Sequence, residues 1–267
     1  MPTLAHNGGE IYYEVAGEGS PLVLIHAGVA DQTMWDYQWT AFTARHRTIR
    51  YDTRGWGKTT STDVTFSNRD DLRALLDHLG VAKAAVMGVS RGGQIATDFT
   101  LEFPERVSAL IPVAAGLGGF EAPVTPAEEA LFAAAEAAGE RKAWDELTDL
   151  EVQIWVQGPY RRPNEVDSAV LDHARRMIRG SYALHESETL TPITLTPPAV
   201  GRLAEIACPT LVIWGDKDVS EVAANCEALV AGIAGARKVI LPNAAHLPNM
   251  EYPEKFAEMV LSFLGSI

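Results

Sequence analysis

Apolar and polar positions change period several times along the chain, and the changes predict its elements. Leu4–His6 and Ile11–Val15 are short strand-like stretches separated by Asn7-Gly8-Gly9, a tight-turn sequence. Pro21–His26 is apolar without alternation, the mark of a strand covered on both faces. Residues 31–44 follow a helical pattern, and His46–Tyr51 a strand pattern. Ser67-Asn68-Arg69-Asp70 resembles a capping box, and Leu72, Leu75, Leu76 and Leu79 follow at helical spacing. Ala84–Met87 is a short strand, Gln94–Phe103 a helix stopped by Pro104, and Val107–Ala115 the next strand.

Regular alternation then stops. Residues 119–199 are rich in Ala, Glu and Arg and are predicted mainly helical, with breaks near Gly158-Pro159, Pro163 and Pro192. It resumes with strand Thr210–Trp214, helix Glu221–Ile233, strand Lys238–Leu241 and a last helix over Pro253–Leu264, where Pro253 suits a first helical turn. Alternating strands and helices predict an α/β fold: a mostly parallel eight-stranded sheet flanked by helices, with an antiparallel start. The helical block enters after the sixth strand. The expected organisation is a core of residues 1–118 and 200–267 and a helical cap of residues 119–199.

Composition narrows the function classes. At 267 residues the chain can bury a large core without disulfides or metals. Lys and Arg number 22 against 35 Asp and Glu, a net charge of −13, which argues against nucleic acid and anionic membranes as partners. No uninterrupted 18-residue apolar run predicts a transmembrane helix. Cys208 and Cys226 make neither a disulfide framework nor a metal-ligand cluster. Residues 1–7 lack the features of a signal peptide, so a cytoplasmic setting is the expectation.

The chemistry concentrates at three places. Gly88-Val89-Ser90-Arg91-Gly92 matches G-x-S-x-G between a predicted buried strand and a helix, the setting of a nucleophile elbow. The plain alternative is a glycine-rich turn with an incidental serine. A neutral serine needs a base that is itself held by an acid. Gly215-Asp216-Lys217-Asp218 and Asn243-Ala244-Ala245-His246 follow the last two strands, giving the order Ser, Asp, His at carboxyl strand ends.

With His26-Ala27-Gly28, Asp52-Thr53-Arg54-Gly55-Trp56-Gly57 and His246-Leu247-Pro248-Asn249-Met250-Glu251-Tyr252-Pro253 added, the chain resembles the α/β-hydrolase superfamily over essentially its whole length. The last stretch resembles the enol-lactonase and small-carboxylesterase branch. The resemblance implies that Ser90 is the nucleophile, Asp218 the acid and His246 the base, with Asp216 and Glu121 as rival acids. It implies an oxyanion hole from the Arg91 and Gly28 N–H groups, each donor worth about 3 kcal/mol in the transition state. Ala27 stands where relatives usually have glycine, which leaves Gly28 or Val29 open as the second donor. His26 is expected to brace its loop, and His6, His46, His78, His173 and His185 to have surface or structural roles. Asp52 and Arg54 are expected to form a bracing network, and the Arg91 side chain a structural ion pair, with a substrate contact as the alternative. Val29, Trp144 and Trp155 are the expected substrate contacts; Trp35, Trp39, Trp56 and Trp214 are expected to pack.

The implied activity is two-step acyl transfer on a small carboxylic ester or lactone, with no metal or organic cofactor. Three alternatives remain. A 3-oxoadipate enol-lactonase must bind carboxylates, with Arg161, Arg162, Arg175, Arg176 and Arg179 as candidate forks. A carbon–carbon bond hydrolase shares the order of the three residues. A hydrolase-like small-molecule receptor would keep them without fast turnover. Residues 121–151 hold nine acidic residues against two basic ones, which weighs against an anionic substrate.

Overall fold

The computed structural model describes residues 2–62, 64–185 and 190–267. Thr3–His6 (β1) and Gly9–Ala16 (β2) form the antiparallel hairpin, with His6 opposite Gly9. Asn7 and Gly8 take positive φ of 41° and 71°, as the tight turn between twisted strands requires. The chain continues through Pro21–Ile25 (β3), Asp36–Thr43 (α1), Arg47–Tyr51 (β4), Asn68–His78 (α2), Ala84–Val89 (β5), Arg91–Glu102 (α3) and Val107–Val113 (β6). It ends with Leu211–Gly215 (β7), Ser220–Gly232 (α7), Arg237–Leu241 (β8) and Pro253–Leu264 (α8).

Along the sheet the eight strands run β1-β2-β4-β3-β5-β6-β7-β8, and a two-residue strand, Thr60–Ser61, pairs with β2. From β4 to β8 every neighbouring pair is parallel. Side chains alternate faces along a strand. Val23 and Ile25 of β3 therefore join one core layer with Leu72, Leu76, Phe99 and Leu229. Leu22 and Leu24 join the other with Phe42, Phe256 and Val260. Both layers are closed to solvent, which explains why β3 reads as unbroken apolar sequence.

Between β6 and β7 the described residues are mainly helical, as predicted: Pro126–Glu140 (α4), Trp144–Glu151 (α5) and Ser168–His185 (α6), with a π-turn at Val152–Gln157. Thr125 and Glu128 form the capping box of α4, with Thr125 Oγ1 accepting from the Glu128 N–H and the Glu128 carboxylate accepting from the Thr125 N–H. Ser67 caps α2 through the N–H of Asp70. Helix α3 starts at Arg91, three residues before the predicted Gln94, because the chain turns directly from Ser90 into the helix. Of the predicted cap range, residues 186–189 lie outside the described residues. Among the described residues no helix is long and apolar enough to cross a membrane.

Candidate active site

Ser90 sits between β5 and α3 at φ 57°, ψ −119°, a conformation that costs an L-residue strain. Backbone bonds on both sides hold it there: its N–H donates to Val113 O at 2.8 Å, and its carbonyl accepts from Gln94 N at 3.0 Å. The flanking glycines are required by contact. A Cβ on Gly92 would lie 2.5 Å from the carbonyl oxygens of Ile25 and His26, and one on Gly88 would collide with the carbonyl of Gly92. The G-x-S-x-G pattern thus lets α3 start against the end of β3 and presents a half-buried serine at the carboxyl edge of the sheet.

The loop after β7 carries Asp218, and the loop after β8 carries His246. Asp218 Oδ2 accepts from His246 Nδ1 at 2.8 Å, with both side chains at most 2% exposed. Asp218 Oδ1 accepts from the N–H of Val219 at 2.8 Å. Both carboxylate oxygens are engaged, and the bond at Nδ1 leaves Nε2 of a neutral His246 as the basic nitrogen. Of the rival acids, Asp216 is turned to the backbone of Asn243 (2.6 Å) and to Lys217, and Glu121 is exposed.

The loop after β3 is braced from beneath. His26 Nε2 accepts from the Thr53 N–H at 3.0 Å, so Nδ1 carries the proton and donates to Ala27 O at 2.7 Å. Burial pushes this imidazole down to about 4, so it stays neutral and fixed. Gly28 O accepts from Trp56 Nε1 at 2.5 Å. Ile25 of β3 is register-paired with Gly88 of β5, so Gly28 and Ser90 leave adjacent strands. Asp52 and Arg54 both brace, but with separate partners. Asp52 accepts from the N–H groups of Gln32 and Lys58, whereas Arg54 forms a buried pair with Asp71.

The expected ion pair of Arg91 is absent among the described residues. Its guanidinium lies 3.8 Å over the Trp56 ring and donates to Thr53 Oγ1 at 2.7 Å, and desolvation pulls it down to about 10.

The helical insertion grips the same loops. Trp155, in the π-turn, packs its ring 4.6 Å from the His246 ring and accepts the His246 N–H on its carbonyl at 3.2 Å. Arg161 pairs with Glu251 at 2.7 Å and donates to Asn243 O at 2.6 Å, while Glu251 accepts the Ala245 N–H. Glu128 accepts from the N–H and hydroxyl of Ser220, two residues past Asp218. These contacts place the loops that carry Asp218 and His246 against the insertion.

A cavity of about 340 Å³ opens beside the loop after β3. On one side are Gly28, Val29, Gly55 and Trp56. On the other are Trp144 and Glu151 of α5 and Ile178, Ser181, Tyr182 and His185 of α6. Of the three residues expected to contact substrate, Val29 and Trp144 line this cavity, whereas Trp155 packs on His246. Trp56, Glu151, Ser181, Tyr182 and His185 were missed. Spacing of three and four along α6 was the available signal, but it reads equally well as a packing face. None of the five arginines offered as carboxylate forks lines this cavity, and four of them are paired: Arg161 with Glu251, Arg162 with Glu165, Arg175 with Asp149 and Arg179 with Asp145. Among the described residues, no group of three or more His, Cys, Asp and Glu could hold a metal ion.

This fold, with a strained serine turn and a buried Asp–His pair at the carboxyl edge, defines a hydrolase of the α/β type. The Alpha/beta hydrolase family matches residues 22–259, and the chain belongs to it. A relative from Paraburkholderia phymatum, named 2-hydroxy-6-oxononadienedioate/2-hydroxy-6-oxononatrienedioate hydrolase, is 30% identical over 96% of this chain and 91% of its own. The enol-lactonase of Burkholderia xenovorans LB400 is 26% identical, with a TM-score of 0.79 over 99% of this chain and 100% of that one. A thermophilic esterase from Thermogutta terrifontis is 27% identical, with a TM-score of 0.77 over 99% of this chain and 96% of that one.

Proposed function

We propose that the protein is a serine hydrolase of small carboxylic esters or lactones that works through an acyl-enzyme intermediate. The observation that carries this is the buried 2.8 Å bond between Asp218 and His246 Nδ1, placed at the same sheet edge as the strained Ser90. Ser90 Oγ attacks the carbonyl carbon while His246 Nε2 takes the hydroxyl proton. The N–H of Arg91 and that of Gly28 or Val29 hold the oxyanion. The tetrahedral adduct collapses, His246 protonates the leaving oxygen, and an alcohol or enol departs. Water then repeats the sequence, with His246 as base, and frees the acid. Asp218 keeps the imidazole in the required tautomer and stabilises the imidazolium.

Residues 119–199 act as a cap on a core of residues 1–118 and 200–267. The grip of Trp155, Arg161 and Glu128 on the Asp218 and His246 loops supports this division.

A second reading, carbon–carbon bond hydrolysis, draws on the 30% identical nonadienedioate hydrolase. That name is of a dicarboxylate, as a 3-oxoadipate enol-lactone substrate is an anion. The cavity beside Gly28 offers neither lysine nor arginine among the described residues, which favours the uncharged ester or lactone. A receptor role would leave the three residues in place with little turnover. Hydrolysis of p-nitrophenyl acetate decides: steady turnover by wild type that is absent from Ser90→Ala supports the ester reading. Equal rates for the two proteins would refute it.

A further inference from the structure

The far wall of the cavity beside Gly28 has a chemistry that the catalytic residues do not use. Ile178, Ser181, Tyr182 and His185 lie on one face of α6, and Glu151 ends α5. Glu151 has no cationic partner among the described residues; the Tyr182 hydroxyl is its hydrogen-bond donor, and burial lifts its carboxyl to about 6. Ser181 Oγ is buried, in a residue 8% exposed, and has no hydrogen-bond partner among the described residues. A desolvated hydroxyl without a partner costs free energy that a bound polar group would recover. Trp144, stacked on Tyr182 at 5.1 Å, and Trp56 supply flat apolar surface.

The cavity is placed to receive one end of a substrate whose carbonyl sits at Ser90. Ser90 and His246 do not line it, but Gly28 and Val29, the candidate oxyanion donors of the proposed reaction, do, and Gly28 follows the strand that pairs with the strand of Ser90.

We infer that this cavity selects substrates whose far end is an amide or hydroxyl group, with Glu151 accepting its hydrogen bond and Ser181 donating to its oxygen, and that it rejects a far-end carboxylate. The inference rests on the proposed ester hydrolysis for the direction in which substrate extends. An ionised Glu151 keeps free lone pairs beyond the one taken by Tyr182, and an amide N–H fills one. A carboxylate in the same place would face a like charge.

Three p-nitrophenyl esters of matched shape test this at pH 8: the adipamate, whose chain ends in a primary amide; the isosteric 6-methylheptanoate; and the adipate half-ester, which ends in a carboxylate. In wild type, kcat/KM for the adipamate should exceed that for 6-methylheptanoate by about 10-fold and that for the adipate by about 100-fold. Glu151→Gln should cut the amide-over-carboxylate ratio by about 10-fold or more, because glutamine keeps the hydrogen bond and removes the charge. Glu151→Leu should erase the lead of the amide over the apolar ester. Adipate turnover equal to that of the adipamate in wild type, or an unchanged ratio in Glu151→Gln, would overturn the inference.

Binding separates this from the catalytic proposal. Tryptophan fluorescence of the Ser90→Ala protein, titrated with unreactive adipamide and with adipate, reads the cavity without any chemistry. Tighter binding of adipamide in a protein whose wild type turns over no ester upholds the cavity and sinks the hydrolase. Turnover with equal binding of both ligands does the reverse.

Discussion

Around Asp218 both carboxylate oxygens are bonded, to His246 Nδ1 and to the Val219 N–H, whereas in the cavity between α5, α6 and the β3 loop, among the described residues, Glu151 lacks a cation and Ser181 Oγ lacks a partner. The two regions differ in construction as well. The Asp–His pair and the serine stand on loops anchored to buried parallel strands, with glycines packed against backbone. The far wall of the cavity is made of helix faces from the insertion. A finished hydrogen-bond network fixes one geometry for chemistry. An unfinished one leaves polar atoms that a bound polar group could satisfy.

Substitutions can break this contrast from its strongest side first. Ser90→Ala should lower kcat for p-nitrophenyl acetate by about 10⁶-fold, because the serine and its base act as a unit. Asp218→Asn should cost about 10⁴-fold, since it holds the imidazole in the wrong tautomer. Both are read by steady-state kinetics on folded protein checked by circular dichroism. A loss under 10-fold in Asp218→Asn would remove Asp218 as the acid. Gly92→Ala acts on the frame itself. Its Cβ would meet two backbone carbonyls at 2.5 Å, so denaturant unfolding should show a loss of about 3 kcal/mol or more.

The cavity side answers to pH. Folded Glu151 keeps its proton up to about 6, whereas an unfolded glutamate releases it near 4.5. The folded state therefore favours the protonated form, and stability falls as pH rises from 4.5 past 6. Glu151→Gln removes that cost. It should stabilise the protein by up to about 2 kcal/mol at pH 8 and by nothing at pH 4, measured as the difference in unfolding free energy between the two pH values. A uniform effect across pH would mean that Glu151 is not held in its neutral form. The smallest effect belongs to Asp216→Asn. Its carboxylate serves the Asn243 backbone, so kcat should change by less than about 10-fold. A loss matching that of Asp218→Asn would transfer the role to Asp216.

The same contrast explains what could be read before the structure. Strands such as Pro21–Ile25 are apolar on both faces and announce themselves, and short loops after them make Ser90, Asp218 and His246 legible as an ordered set. The cavity is a product of tertiary packing. Nothing near Glu151 in the chain says that it will face Tyr182, and the spacing of Ser181, Tyr182 and His185 is that of any buried helix face. The place of Arg91 is likewise tertiary: its guanidinium lies over the Trp56 ring and donates to Thr53, contacts that the chain around Ser90 does not announce. Trp155 owes its place against His246 to a π-turn, whose extra residue per turn no simple periodicity predicts.

A fluorophosphonate probe followed by peptide mass mapping tests the catalytic arrangement most directly, because it requires a serine that is both exposed to a ligand and activated by its base. Wild type should carry one adduct, on Ser90; Ser90→Ala should carry none, and Asp218→Asn should label far more slowly. A wild-type protein that stays unlabelled, or one labelled on another residue, would contradict Ser90 as the nucleophile.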